Sequence, residues 1–198
     1  MNYLLTSPSL DDLTRLLKAW RFWVLGAMIG ALLGAAVYYI VPPPYRAKAT
    51  VNVDFNLEEA WPKDTDRQQF YYLERESRKL VEIAWSDNVL NSLNASAAEL
   101  REGKLNLSQP AEAGWHFYAD DKNPKKAEEL ASAWANAFVD KAQAEIASGN
   151  INEFVKLEVT QSENLPTQRR NSVSAYLLAG ASGFLLLAVL AVLFIKPK

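Results

Sequence analysis

Residues 22–55 read FWVLGAMIGALLGAAVYYIVPPPYRAKATVNVDF, and two changes of pattern within them decide the architecture. Phe22–Val41 is apolar and uncharged. It has about the 20 residues that a helix, rising about 1.5 Å per residue, needs to cross a hydrocarbon core of roughly 30 Å. Pro42, Pro43 and Pro44 stop that helix, because proline lacks an amide hydrogen and disfavours helical geometry in the residue before it. Next, Ala47, Ala49, Val51, Val53 and Phe55 alternate with Lys48, Thr50, Asn52 and Asp54, the period-two pattern of a half-buried strand. A second uncharged run, Tyr176–Ile195, lies near the other end. The organisation expected is therefore an amphipathic segment 1–21, a transmembrane helix 22–41, an extramembrane domain 42–175, a second transmembrane helix 176–195 and a tail 196–198.

The 198 residues leave room for one modest domain besides two spans. The chain has no cysteine, which rules out disulfides and thiolate metal sites, and its one histidine, His116, rules out a multi-histidine centre within one chain. Ala47-Lys48-Ala49 has the small-x-small form of a signal-peptide cleavage site. The apolar run is too long for a signal, however, and the three prolines separate it from that site, so a retained anchor is expected. The end segments carry Arg15, Lys18, Arg21, Lys196 and Lys198 against Asp11 and Asp12, while the whole chain has a net charge of −2, so the middle is net acidic. Positive ends favour the cytoplasmic side, although Arg46, Lys48, Arg169 and Arg170 flank the spans on the other side and weaken the bias.

Ser9 with Asp12 reads as a capping box opening a short helix, in which Leu10, Leu13, Leu16, Leu17 and Trp20 share a face. Thr65 with Gln68 opens another, with Phe70, Tyr72, Leu73, Leu80, Val81 and Ile83 supporting a helix to about Ala84. Ser86 can cap a short helix carrying Val89, Leu90 and Leu93, and Ser96 with Glu99 starts a turn closed by Gly103. Leu105 with Leu107, and Trp115–Ala119, are short strand candidates. Asp120, Asp121 and Asn123 precede Pro124, which suits a helix start. Leu130, Trp134, Phe138, Ala142 and Ile146 then recur every four residues to Gly149. A last strand, Phe154–Thr160, runs back toward the second span. Pairing of the first and last strands gives an α/β (α+β) domain, a small mixed or antiparallel sheet with helices on one face.

The chemistry available to catalysis is sparse. There is no Gly-rich phosphate loop, nucleophile elbow or metal-ligand motif. His116, between Trp115 and Phe117, reads as a half-exposed strand residue, and Asp120-Asp121 as part of a loop that starts a helix. No enzyme activity, cofactor, metal or nucleic-acid partner is expected. The spans are more informative. Gly26, Gly30 and Gly34 recur every four residues beside Ala27, Ala31 and Ala35, and Ala175, Ala179 and Gly183 give the second span a softer version. Such stripes let helices approach closely, either within one subunit or between subunits.

In the order of its segments the chain resembles the polysaccharide co-polymerase family, the Wzz-type chain-length determinants. The resemblance rests on Leu10–Leu13 and Leu16–Trp23 entering the first span, and on Pro42-Pro43-Pro44-Tyr45-Arg46 running into the first strand. It continues with Ala98–Arg101 before Leu105-Asn106-Leu107, and with Asn123-Pro124-Lys125-Lys126-Ala127 leading to Ala135–Phe138. It covers most of the chain. Two departures mark it as a short, minimal member. Only Pro166 stands where the family carries a proline-rich run, and no long helical hairpin follows Ile146. The resemblance implies a bacterial inner-membrane protein with both termini cytoplasmic, a periplasmic domain and a ring-like homo-oligomer. It also implies a non-enzymatic role in setting polysaccharide chain length beside a membrane polymerase and its growing glycan. Pro42, Pro43, Pro44, Tyr45, Pro166, Arg169 and Arg170 are then the membrane-proximal coupling residues, and Trp61, Tyr71 or Tyr72 candidates for stacking on sugars. The alternatives are a structural envelope assembly protein and a two-span activator of a separate cytoplasmic tyrosine kinase, for which Lys196-Pro197-Lys198 is too short to dock a kinase and residues 1–21 are the remaining route.

Overall fold

The computed structural model describes residues 10–60, 66–93, 100–110 and 114–194. They fall into two compact units, one built from the helical segments outside Pro44–Arg170, the other from Pro44–Arg170 itself. The expected caps at Ser9, Thr65 and Ser96, with Glu99 and Trp61, lie outside the described residues.

The helical unit comprises α1 (Leu10–Lys18), α2 (Trp20–Ile40) and the helix nearest the C-terminus, α7 (Val173–Phe194). At the α1–α2 corner the Trp23 indole donates to the Leu16 carbonyl at 3.1 Å. α2 ends one residue before the apolar run does. Val41, at φ −125° and ψ 74°, has left the helical region that a following proline disfavours, while its amide still bonds to Val37. α7 begins three residues earlier than the apolar run, because both the carbonyl and the hydroxyl of Ser172 accept from the Ala175 amide, at 3.1 and 3.4 Å. Both long helices are apolar enough to cross a membrane, yet only 17% and 6% of their most apolar windows are buried. A core helix of a soluble domain would be mostly covered; these present their apolar surface outward.

The second unit is an antiparallel five-stranded sheet covered by helices. Its central strand is β1 (Tyr45–Asp54), and its path runs β2 (Leu105–Ser108), β3 (Trp115–Asp121), β1, β4 (Lys156–Gln161). β5 (Thr167–Arg169) joins the same edge of β1 as β4, alongside Tyr45–Ala47, while β4 takes Thr50–Asp54. β1 and β4 therefore pair antiparallel as the two alternating patterns expect. β5 is an addition that no alternation announced. Ala47, Ala49 and Val51 turn inward and are fully buried.

Over that face lies α6 (Pro124–Ala147), started by the Asn123 side chain accepting from the Lys125 amide at 3.0 Å. Its small residues Ala127, Ala131, Ala135 and Ala142 are fully buried, as are Trp134 and Phe138. Phe117 of β3 meets Trp134 edge-on at a centroid distance of 4.8 Å and Phe138 at 5.0 Å. Asp120 and Asp121 belong to β3 rather than to the helix-starting loop expected for them. In the next layer α4 (Asp66–Ala84) is tied to α6 by the Trp134 indole, which donates to the Ala84 carbonyl at 2.9 Å. Ser86 caps α5 (Asp87–Asn91), accepting from the Val89 amide. Gly103 sits at φ +117°, a left-handed geometry suited to glycine, in a wide turn over Leu100–Lys104. The short α3 spans Leu57–Ala60.

α4 departs from its sequence reading in two ways. Phe70 is 75% exposed rather than on the inner face. The inner row is Tyr72, Glu76, Leu80 and Ala84, so it contains a fully buried carboxylate. Glu76 accepts from Arg75 at 2.8 Å, from Lys79 at 3.1 Å and from the Asn152 amide at 3.2 Å, while Lys79 also donates to the Asn150 carbonyl at 2.7 Å. Burial pushes the Glu76 carboxyl up, but the bonds from Arg75, Asn152 and Lys79 outweigh it and hold the group below its ordinary value. A depressed folded-state value means the carboxylate stabilises the fold above its unfolded pKa, and that this contribution is lost as pH falls through the folded one. Glu76→Ala should cost about 1–3 kcal/mol at neutral pH, because it removes charge-assisted hydrogen bonds that tie α4 to the Asn150–Asn152 turn. Urea unfolding of the full chain in detergent, read from the buried tryptophans, should also show the gap between variant and parent narrowing in acid.

Candidate functional site

Four of the residues singled out for coupling meet at one end of the sheet. In the β1–β5 ladder Tyr45 is opposite Arg169, and the Arg170 amide donates to the Pro44 carbonyl at 2.9 Å. The domain thus closes on itself where its chain enters and leaves. The Arg169 guanidinium lies 4.8 Å from the Tyr45 ring centroid, within cation–π range. Beside them is a carboxylate that sequence reasoning placed elsewhere. Asp120, directly opposite Arg46 in the β1–β3 register, is only 6% exposed. It receives a two-pronged bond from Arg46 at 2.7 and 2.8 Å, and a third contact from Arg170 at 3.3 Å. Hydrogen bonding to Asp120 holds the Arg46 guanidinium above its ordinary value despite burial.

This end of the sheet is a clasp. Planar guanidinium and carboxylate match in shape, so the pair fixes direction as well as charge. Arg46, Tyr118 and Asp120 occupy the face of the sheet away from α6, and the two arginines rather than the apolar core cover Asp120. The signal available in the sequence was the parity of two alternating strands, which puts Arg46 and Asp120 on the same outer face. Pro166 is exposed and borders a shallow groove with Arg46, Tyr118 and Arg169. Pro42 and Pro43 belong to the helical unit, Pro42 exposed and Pro43 buried.

The glycine stripe has a definite counterpart within the helical unit. A Cβ added at Gly34 would run into the Tyr176 carbonyl oxygen, and one at Gly30 into the Gly180 carbonyl oxygen. One at Gly26 would approach Ala188 Cβ at 3.0 Å. α2 and α7 therefore run antiparallel in backbone contact, and the reciprocal test at Gly180 meets Gly30. The α7 side of this seam is Tyr176, Gly180, Phe184 and Ala188. Ala179 and Gly183, expected to pack either within a subunit or between subunits, lie off this seam and are exposed, and a Cβ on Gly183 meets nothing within 4 Å. At one end of the seam Tyr38 packs edge-on against Tyr176 at 5.4 Å. Near the other, Arg15 donates to the Val192 carbonyl at 3.3 Å.

These two arrangements hold structure together and place no nucleophile beside a base. His116 lies with Nδ1 3.4 Å from the Thr50 hydroxyl. Burial, helped by Lys48, lowers its pKa and favours the neutral ring. Among the described residues no three His, Asp or Glu side chains converge to hold a metal ion. Of the sugar-stacking candidates, Tyr72 is 3% exposed and donates to the Phe55 carbonyl, whereas Tyr71 is 73% exposed. Compared with known proteins, the chain matches no family model and no curated protein.

The seam yields a direct prediction. Gly30→Leu should force α2 and α7 apart, toward the roughly 8–10 Å spacing of ordinary helix pairs, while leaving the sheet domain folded. Spin labels on Leu33→Cys and Leu178→Cys, unique because the chain has no cysteine, should report the longer distance.

Proposed function

We propose that the chain is a non-enzymatic inner-membrane scaffold that regulates chain length in O-antigen, capsule or exopolysaccharide synthesis. It acts as a homo-oligomer beside a membrane polymerase. The observation that carries the reading is the antiparallel α2–α7 pair, joined by glycine contact and apolar on its outer surfaces. In a bilayer, such a pair puts the residues between its helices on one side and both termini on the other. Arg15, Lys18 and Arg21 favour the cytoplasm for the termini, and hence the periplasm for Pro44–Arg170.

Further support comes from the order of segments that resembles the Wzz-type determinants: apolar entry, prolines, alternating strand, Asn-Pro helix, second span. The mechanism needs no bond chemistry. Several anchored domains, held side by side in the membrane plane, retain or release a growing polymer at the polymerase, and the number of domains and their contact with glycan set how far it extends. Tyr71 offers an exposed ring for stacking on sugar faces. The test is deletion of the gene followed by electrophoresis of the cell's glycans. The modal chain length should be lost and restored by the full chain supplied in trans; an unchanged distribution would reject the reading.

A further inference from the structure

Beside the clasp, on the Pro44–Arg170 unit, is a second groove, of about 760 Å³. Its charged lining is Lys104, Lys122, Lys126 and Arg170 against Asp120 and Asp121. Neither carboxylate is idle. Asp120 is held by Arg46 and Arg170, and Asp121 accepts from the Asn123 amide at 2.8 Å. Lys122 and Lys126 are both exposed, and among the described residues neither is in an ion pair. With Arg46 behind Asp120, the groove has an excess of positive charge in a domain that is otherwise net acidic. Pro44 supplies an apolar edge.

The covalent chain limits where this groove can be. Pro44 is four residues beyond the end of α2, and Arg170 three residues before the start of α7. At no more than about 3.6 Å per residue, the two lining residues lie within about 14 Å and 11 Å of the helix ends, however the domain turns. If α2 and α7 span a bilayer, this keeps Pro44 and Arg170 in the headgroup layer, about 5–8 Å deep on each side of the hydrocarbon core, or within about one further layer thickness of it.

We propose that this groove binds the phosphate of an anionic lipid headgroup in the same membrane, with Lys122 and Lys126 as the contacting cations and Lys104 and Arg170 supporting them. The proposal rests on the reading of α2 and α7 as transmembrane helices. Basic side chains at a membrane surface gain from anionic lipid in an additive and salt-sensitive way. Lysine suits the task as a mobile point charge that can follow a headgroup without a fixed bidentate geometry. Such a contact would hold the clasp end of the domain on the bilayer.

The experiment uses the full chain in neutral detergent with an environment-sensitive fluorophore on Lys125→Cys, an exposed position next to the groove. Titration with phosphatidylglycerol should give a saturable shift, and phosphatidylcholine none. The double change Lys122→Ala and Lys126→Ala should weaken the phosphatidylglycerol response roughly 30-fold, equivalent to about 1 kcal/mol for each lysine near an anionic surface. Both lysines are on the surface, so an unchanged buried-tryptophan signal will certify the fold. Saturation by inorganic phosphate at the same concentration would assign the groove to free phosphate and overturn the lipid assignment. Equal responses to both lipids, or no loss in the double variant, would overturn the site. Retention of the chain in vesicles after alkaline extraction is scored separately, so failure of the membrane reading and failure of the groove give different results.

Discussion

Everything in the domain depends on β1 being shared. One strand of ten residues pairs with β3 along one edge and with both β4 and β5 along the other. Its first residues bind the last residues of the domain, through the Pro44–Arg170 backbone bond and through Asp120, which draws in Arg46 and Arg170 together. Its inward row is small, and this lets the alanine face of α6 lie close to the sheet while Trp134 and Phe138 fill the space beside it. Bulkier residues at Ala47 or Ala49 would push α6 off the sheet.

If α2 and α7 span a bilayer, the two units solve different physical problems. In water, the domain gains from removing apolar surface, and its core is aromatic and aliphatic as a result. In lipid, surrounding tails are as apolar as leucine, so helices gain little by hiding leucine from them. Close contact through Gly26, Gly30, Gly34 and Gly180 is then what distinguishes a neighbouring helix from a lipid chain. The buried carboxylate of Glu76 in α4 adds a third kind of constraint, fixing that helix to the Asn150–Asn152 turn through charge-assisted bonds.

Elements whose cause is local could be read from the sequence. The alternation of Ala47–Phe55, the Asn123-Pro124 helix start and the Ser86 cap each depend on a few adjacent residues, and each is present. β5 could not be read, because Thr167-Gln168-Arg169 has no apolar alternation and is a strand only because β1, over 100 residues earlier, offers an edge. Glu76 could not be singled out, because one of its partners, the Asn152 amide, is remote in sequence. The rotation of α7 against α2 could not be read for a different reason: an almost uniformly apolar helix has no polar face to set it. Only the match between Gly180 and Gly30 settles it.

The central claim is that α2 and α7 cross one membrane as an antiparallel pair with the sheet domain on a single side. Accessibility of single cysteines to a membrane-impermeant maleimide tests it most directly. The Lys125→Cys and Lys18→Cys variants of the full chain, expressed in a bacterial host, place the only thiol in the domain or in α1. In intact spheroplasts the account predicts labelling of the Lys125→Cys variant at once and of the Lys18→Cys variant only after lysis. Labelling of both variants before lysis, or of neither, would contradict it.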